Sequence, residues 1–501
     1  MRSLHALLFL AALAAAGVFA AALSAARGDL DPTFGSGGKV RTDFGGSEIG
    51  SAVAVQRDGR VVVAGGRFDS ESDDFVLARY TVNGRLDRSF DADGKVETDF
   101  EGGLDAASDV QVQSDGKIVA AGRSSLGEEG TDGADMALAR YNRDGSLDES
   151  FGDGGTVLTT FEPSGIARAS AVAIQADAKI VAGGHAGTGR EADFALARYL
   201  PDGELDESFG EGGQVTTPVS AVTDWLLALA VQPDGKLVAA GYSYESLSRG
   251  HIVLARYTAD GSLDPSFDGD GVVVATSLPA GMVGEQLLLQ RNRRLIVAGI
   301  GGVSRFNGDG SLDRNFGDGG RARSGNVQSR TAAIQPDGKI LVIGTVSSGS
   351  SVFGDFGVAR LTTGGRLDTM YGRRGSVVTG FSPGSDDVPE DGVLLPDGRL
   401  VVAGMTGPRA GPETWGPWDF AVARYIAIRF CVVPNVQGQT LSRARIRLER
   451  AGCRLGRVEP AYSRRLGKGR VISQRPRARA RLAELAKVDL VVSRGRRARS
   501  S

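Results

Sequence analysis

Leu147-Asp148-Glu149-Ser150-Phe151-Gly152 decides the fold, because it is one copy of a motif that keeps returning. Leu-Asp-x-x-Phe begins again at Leu30, Leu86, Leu205, Leu263, Leu312 and Leu367, where Tyr371 takes the aromatic place. A second motif, apolar-Gln-x-Asp-Gly-Lys, lies between the copies at Val55–Arg60, Val112–Lys117, Val231–Lys236 and Ile334–Lys339. It is degraded at Ile174–Lys179 and Leu289–Arg294, and reads Leu394–Arg399 in the last copy. The third motif, Asp-Phe-x-Leu-Ala-Arg-Tyr, stands at Asp74–Tyr80, Asp135–Tyr141, Asp193–Tyr199 and Asp419–Tyr425. Its weaker copies are His251–Tyr257, Val303–Phe306 and Asp355–Leu361. The order never changes, and the period is about 56 residues.

Each repeat reads as four strands. In the first copy these are Lys39–Phe44, Ser51–Gln56, Arg60–Gly65 and Phe75–Thr81. Asp58-Gly59 between apolar runs is a hairpin signal, because Gly takes positive φ cheaply. Val53 and Val61–Val63 alternate poorly, as expected of strands buried on both faces. One such sheet cannot bury both faces alone, so the units must stack. The expected class is all-β: a seven-bladed β-propeller of four-stranded repeats, then a small α+β domain. An open stack of sheets is the alternative to a closed ring.

These motifs resemble the delta-60 repeat family of bacterial β-propeller-like proteins, over about residues 28–425. The resemblance implies a fold and no reaction. The fifth copy departs most, lacking the Asp-Gly hairpin and keeping only Val303–Phe306 of the third motif.

Composition agrees. The chain has 501 residues and 73 Gly, about twice the usual share, with only 17 Pro. Collagen is excluded, since no Gly-X-Y triplet runs through it. With 41% hydrophobic and 24% charged residues, it is globular rather than disordered.

Residues repeated in every blade are expected to build the blade. Arg79, Arg140, Arg198, Arg256, Arg305, Arg360 and Arg424 are therefore read as structural, each in a bidentate pair with a carboxylate such as Asp87 or Asp148. The irregular segments collect on one face: Arg67–Asp73, Arg123–Ala134, His185–Glu191, Tyr242–Gly250, Thr345–Gly354 and Met405–Trp418. Loops on a rigid scaffold are where binding resides. Within them, Trp415 and Trp418 flank Gly416-Pro417 and are the candidate ligand-binding residues. Exposed, they could stack on a sugar or anchor a peptide; the alternative is packing against a neighbouring blade or the C-terminal domain. Trp225 lies in the apolar run Trp225–Val231 and is assigned to the core.

No catalytic constellation appears. Beyond His5 there are only His185 and His251, in different repeats, and neither a Gly-x-Ser-x-Gly elbow nor a P-loop is present. No carboxylate pair stands out for glycoside chemistry. No cofactor or metal is expected. Calcium is the alternative raised by Asp91–Gly94, Asp268–Gly271 and Asn307–Gly310, but turn-forming Asp and Gly explain these without an ion.

The N-terminus begins Met1-Arg2, with an apolar run Ala6–Leu23 and small residues to Ala26. This predicts a secretory signal over residues 1–26, an uncleaved anchor being the rival reading. After cleavage no membrane span is expected. The mature chain would be secreted or held in the cell envelope. The remaining expected boundaries are a propeller over 27–426, a second domain over 427–495 and a basic tail over 496–501.

The net charge of −2 conceals two opposite halves. Arg429–Ser501 holds twenty Lys and Arg against four acids, a charge of +16, leaving −18 for the rest. Thr440 is a plausible N-cap for a helix over Leu441–Ala451, with Leu441, Ala444, Ile446, Leu448 and Ala451 as its apolar stripe and Gly452 as its stop. Cys431 and Cys453 are the only cysteines, and export predicts that they form a disulfide.

This segment resembles a PASTA domain over about 431–494. The resemblance rests on Val433-Pro434-Asn435-Val436-Gln437-Gly438, Gly469-Arg470-Val471-Ile472-Ser473-Gln474-Arg475-Pro476 and Val488-Asp489-Leu490-Val491-Val492-Ser493. It implies binding to peptidoglycan. The charge independently favours an anionic cell-wall polymer. Arg443, Arg447, Arg464, Arg465, Lys468 and Arg470 are the candidate wall-associating cations. Arg494–Arg499 looks like a nucleic-acid arm, but export makes nucleic acid an unsuitable partner. The reading is an exported noncatalytic binding protein with an unidentified protein or glycan ligand. Its alternatives are an extracellular enzyme acting on glycans at the irregular face and a calcium-dependent adhesion module.

Overall fold

A computed structural model describes residues 28–496, except 69–72, 101, 126–132, 164, 188–190, 247–248, 348–353, 409–416, 428–430 and 483–485. The expected signal over residues 1–26 and part of each irregular segment thus lie outside the described residues. Among the described residues, no helix is long and apolar enough to cross a membrane. The chain divides into two compact units, the second taking Ile426 onward together with the short segment Pro396–Arg399.

The first unit holds seven four-stranded antiparallel sheets. Blade 1 consists of Ser47–Val55, Val61–Phe68, Asp73–Tyr80 and Lys95–Thr98, in that order from inner to outer edge. The blade is offset by one strand from the sequence repeat. The first strand of each repeat is the outer strand of the blade before it. The ring closes by the same device: Lys39–Thr42 pairs with Asp419–Ile426, joining Lys39 to Ala423 and Thr42 to Phe420. Blade 7 is thus completed by the N-terminal strand, and the open stack is excluded.

The faces follow from this topology. Asp-Gly turns and Leu-Asp-x-x-Phe segments occupy one face. The other carries the irregular loops and the connections from outer strand to next inner strand.

The middle strands are buried on both sides, as in Val61–Val63 and Phe75–Tyr80, because blades pack face to face. Ala54, Val62, Phe75 and Leu77 of blade 1 form one core with Val110, Ile118, Ala120 and Ala137 of blade 2. Val53, Val63 and Val76 pack likewise on Val401, Ala403, Phe420 and Val422 of blade 7. Blade 5 is short but complete: Gln286–Leu289, Leu295–Gly299, Gly302–Phe306 and Arg321–Ala322.

The three motifs converge on one carboxylate per blade. Arg140 Nε donates to Asp148 Oδ2 at 2.6 Å, and Lys117 Nζ reaches the same oxygen at 2.6 Å. Arg140 Nη2 donates to Ser150 Oγ at 3.3 Å and Nη1 to the Pro201 carbonyl of the next blade. Its guanidinium lies 4.4 Å from the Phe151 ring centroid. In this blade the expected pairing is present but not bidentate: the guanidinium divides its donors between carboxylate, hydroxyl and the next blade. In blade 6, Arg360 brings both Nε and Nη2 to Asp368 Oδ2, at 3.0 and 2.9 Å. Burial opposes ionisation of Asp148, but Lys117, Ser150 and Arg140 hold its pKa well below the usual carboxylate range.

The second unit contains a three-stranded sheet in which Lys487–Ser493 lies between Arg454–Ala461, parallel, and Val471–Arg475, antiparallel. Cys431–Val432 pairs with Arg481–Leu482. The helix spans Leu441–Arg450, with Thr440 Oγ1 accepting from Arg443 N at 3.4 Å. Ala444 and Leu448 enter a core with Val433, Val436, Val471, Val488 and Leu490. Ile446 does not: it is 50% exposed, so the apolar stripe is narrower than expected. Cys431 and Cys453 form the expected disulfide inside that core.

Candidate functional site

The seven inner strands surround a channel of about 780 Å³. Six of them carry a β-bulge at one equivalent position, and a bulge re-aims its side chain. The residue skipped by the register is Ser51, Ser108, Ser170, Leu227, Arg330 or Glu390. Glu285 takes the same place in blade 5, just before Gln286–Leu289. All seven line the channel. The backbone needs a glycine opposite each bulge. A Cβ on Gly65 would stand 1.8 Å from the Ile49 carbonyl oxygen, and one on Gly122 would stand 1.9 Å from that of Ala106.

The ring is chemically lopsided. Blades 1–4 offer three serines and a leucine; blades 5–7 offer Glu285, Arg330 and Glu390. Arg330 Nη1 pairs with Glu390 Oε1 at 2.8 Å. Burial raises both glutamates to about 7, although Arg330 pulls each down. They can therefore donate or accept a hydrogen bond near neutral pH.

Asp109 and Asp391, one residue beyond the bulge, stitch inner strands together. Asp109 Oδ2 accepts from Val172 N at 2.8 Å, and Asp391 Oδ2 from Val53 N at 3.0 Å. Burial raises Asp109 to about 7.

Trp225 stands on the inner strand of blade 4, toward the irregular face. It is 37% exposed, not core as its apolar run suggested, because an inner strand borders the channel. Its ring stacks on His185 at 4.8 Å and tilts against Tyr242 at 5.6 Å. Burial and the Arg168 charge lower His185 to about 4, so the stacked imidazole is neutral.

Five segments, 56–90, 113–151, 175–209, 232–267 and 335–369, match the family described as a domain of unknown function (DUF5122) beta-propeller. Residues 432–494 match the PASTA domain. These five segments are DUF5122 β-propeller repeats, and the C-terminal module is a PASTA domain. No curated protein sequence matches the chain. Among solved structures, the polysaccharide lyase Uly1 is similar at 12% identity and TM-score 0.42, covering 75% of this chain and 90% of that one. Sqt1 of Chaetomium thermophilum is similar at 12% identity and TM-score 0.43, over 77% and 97% of the two chains. The α-L-arabinanase of Penicillium chrysogenum, complexed with arabinobiose, is similar at 12% identity and TM-score 0.38, over 79% and 96%.

The PASTA domain exposes all six candidate cations. Arg443 and Arg447 lie one turn apart on the helix, while Arg464, Arg465, Lys468 and Arg470 lie between two strands. None is in an ion pair among the described residues. Arg470 Nη1 donates to the Gly438 carbonyl at 2.8 Å.

On the propeller, Trp415 lies outside the described residues. Trp418 is only 2% exposed and packs with Val388, Met405 and Ile49. It belongs to the core and presents no stacking face, correcting its assignment as a ligand-binding residue. The acidic turns use their carboxylates internally: Asp93 accepts from Lys95 N at 2.8 Å and Asp309 from Ser311 N at 3.0 Å.

The channel residues escaped sequence reasoning because their types differ between copies. The available signal was the repeat alignment: the fourth residue before the apolar residue of the Asp-Gly motif is Ser, Leu, Glu or Arg within an otherwise apolar strand.

Proposed function

We propose that this is an exported noncatalytic binding protein, held at the cell wall by its PASTA domain and binding a protein or glycan ligand at the propeller channel. A propeller joined to a PASTA domain fits a cell-wall-associated propeller protein. The observation that carries the reading is the set of six exposed cations free of carboxylate partners among the described residues. Such a surface attracts peptidoglycan carboxylates and anionic wall polymers, and salt screens the attraction.

The test is cosedimentation of the full chain with purified sacculi. The triple variant Arg464→Glu, Arg465→Glu, Lys468→Glu should bind at least about tenfold more weakly, since charge reversal replaces attraction by repulsion. Undiminished sedimentation defeats the assignment.

One observation favours a second reading, an extracellular enzyme acting on glycans. Glu285 and Glu390 share the channel wall with Arg330 and titrate at about 7. A raised carboxyl suits general acid work. Release of reducing ends from a polysaccharide by the native chain, absent with Glu390→Gln, would select this reading.

A further inference from the structure

Two clusters of three carboxylates stand where successive blades meet. One joins Asp43, Glu48 and Asp419; the other joins Asp74, Asp99 and Asp105. Within each, one oxygen of every carboxylate lies within 4.8 Å of the others. The same device builds both. The connection from outer to inner strand supplies two acids, as Thr42-Asp43-Phe44 with Glu48 and as Thr98-Asp99-Phe100 with Asp105. The third acid, Asp419 or Asp74, opens the Asp-Phe motif of the preceding blade. The first cluster lies between blades 7 and 1, the second between blades 1 and 2.

Backbone donors satisfy only part of these carboxylates. Glu48 Oε1 accepts from Gly46 N at 2.7 Å, and Asp105 Oδ2 from Phe100 N at 2.7 Å. Both residues are 0% exposed, and their other oxygens, Glu48 Oε2 and Asp105 Oδ1, have no hydrogen-bond partner. The buried Ser124 hydroxyl stands beside Asp105 and favours its ionised form. Leaving a buried acceptor unsatisfied costs about 1–3 kcal/mol, so two such oxygens among acids call for a positive ligand.

The cations at hand do not suffice. Arg41 pairs with Asp419 in the first cluster. Arg67 divides itself between Asp74 at 2.8 Å and Glu97 at 2.7 Å in the second. Lys95 Nζ donates to the Asp43 backbone carbonyl at 2.5 Å. Among the described residues, carboxylates still outnumber the cations in each cluster. Asp43 and Asp99 are exposed and give solvent a way in.

We propose that each cluster binds one divalent cation of the hard, oxygen-liganded class, with calcium the best fit. The donors are all oxygen, with no imidazole or thiolate. Calcium accepts irregular carboxylate sets completed by water, whereas magnesium demands a near-ideal octahedron. Asp43, Glu48 and Asp419 hold the first ion; Asp74, Asp99 and Asp105, with the Ser124 hydroxyl beside them, hold the second. The first ion adds a clamp at the seam where the ring closes. This inference is independent of wall binding.

The full chain, stripped with chelator and dialysed, is titrated with calcium chloride by calorimetry and by thermal melting. Two ions should bind per chain, with dissociation constants of about 10⁻⁴–10⁻³ M, as in extracellular modules, and raise Tm by several degrees. Glu48→Gln and Asp105→Asn should each leave one ion. Terbium reports the location: Trp418 is chain neighbour to Asp419, and its carbonyl accepts from Glu48 N at 2.7 Å. Terbium emission excited through tryptophan should fall with Glu48→Gln and persist with Asp105→Asn. If a buried substitution prevents folding, Asp43→Asn and Asp99→Asn at the exposed positions replace it. A native chain that neither takes up calcium at several millimolar nor changes its Tm overturns the proposal. So does a stoichiometry of two in every variant.

Discussion

Arg424 donates its Nε–H to Asp31 Oδ2 at 2.9 Å across 393 residues of sequence. In the other six blades the same pair is local, its partners eight positions apart, as in Arg79–Asp87 at 2.9 Å. Here it joins the last strand of the propeller to its first residues. Arg424 is the most buried cation of the set, at 1% exposure, and also reaches Thr33 Oγ1 at 3.1 Å and the Val82 carbonyl at 2.6 Å. Asp31→Ala should therefore strand a buried guanidinium and cost about 3–5 kcal/mol. Chemical denaturation measures it. Adding Arg424→Met should recover part of that loss, because the buried guanidinium is then gone. A double variant weaker than both single variants would contradict this account.

The strand glycines make a sharper prediction. Gly122→Ala forces a Cβ against the Ala106 carbonyl, which is backbone and cannot swing aside. A loss of about 3 kcal/mol or more is expected, as in severe overpacking. The reverse exchange should help at the degraded hairpin. Ala178 holds φ at +69° where Gly59 and Gly235 stand in the intact turns. Ala178→Gly removes the left-handed strain of an L-residue and should stabilise by about 1 kcal/mol. Urea midpoints of the two variants should move in opposite directions.

Much of this fold was legible, because its determinants are local. Asp58-Gly59 sets a turn, Arg79 and Asp87 are eight residues apart, and apolar Val61–Val63 announces burial on both faces. What escaped was set by partners distant in sequence. Nothing in Lys39–Thr42 itself says that it pairs with Asp419–Ile426 rather than with the strand that follows it. The offset between repeat and blade follows from that choice. The channel escaped for another reason. A period of two assumes an unbroken strand, whereas the bulges at Ser51 and Glu390 shift the pattern and turn those residues inward. Trp225 was misread because an apolar inner strand still borders solvent in a ring.

The disulfide should act on one unit only. Cys431 and Cys453 close a loop with a sequence separation of 22, within the PASTA core. Chain entropy assigns such a loop roughly 3 kcal/mol. Replacing both cysteines by serine should lower the calorimetric transition of the PASTA domain and leave the propeller transition in place. A shift of both transitions would show that the units unfold together.

The channel glutamates predict how stability follows pH. Burial raises Glu285 to about 7 from an ordinary 4.5. Below 4.5 the carboxyl is protonated in folded and unfolded chains alike, and its favourable contribution is fully present. Between 4.5 and 7 the unfolded chain loses this proton first, so stability falls as pH rises; above 7 both states are ionised and the loss is complete. Glu285→Gln has no proton to lose. It should match or fall slightly below the native chain at pH 4.5, yet exceed it at pH 8 by about 1–2 kcal/mol, after discounting for water in the channel. Melting the two proteins side by side across this range isolates Glu285 from Asp109 and Glu390, which titrate in both. If the variant is less stable at pH 8, the ionised Glu285 is instead held by Arg330, and the electrostatic reading of the channel wall must be reversed.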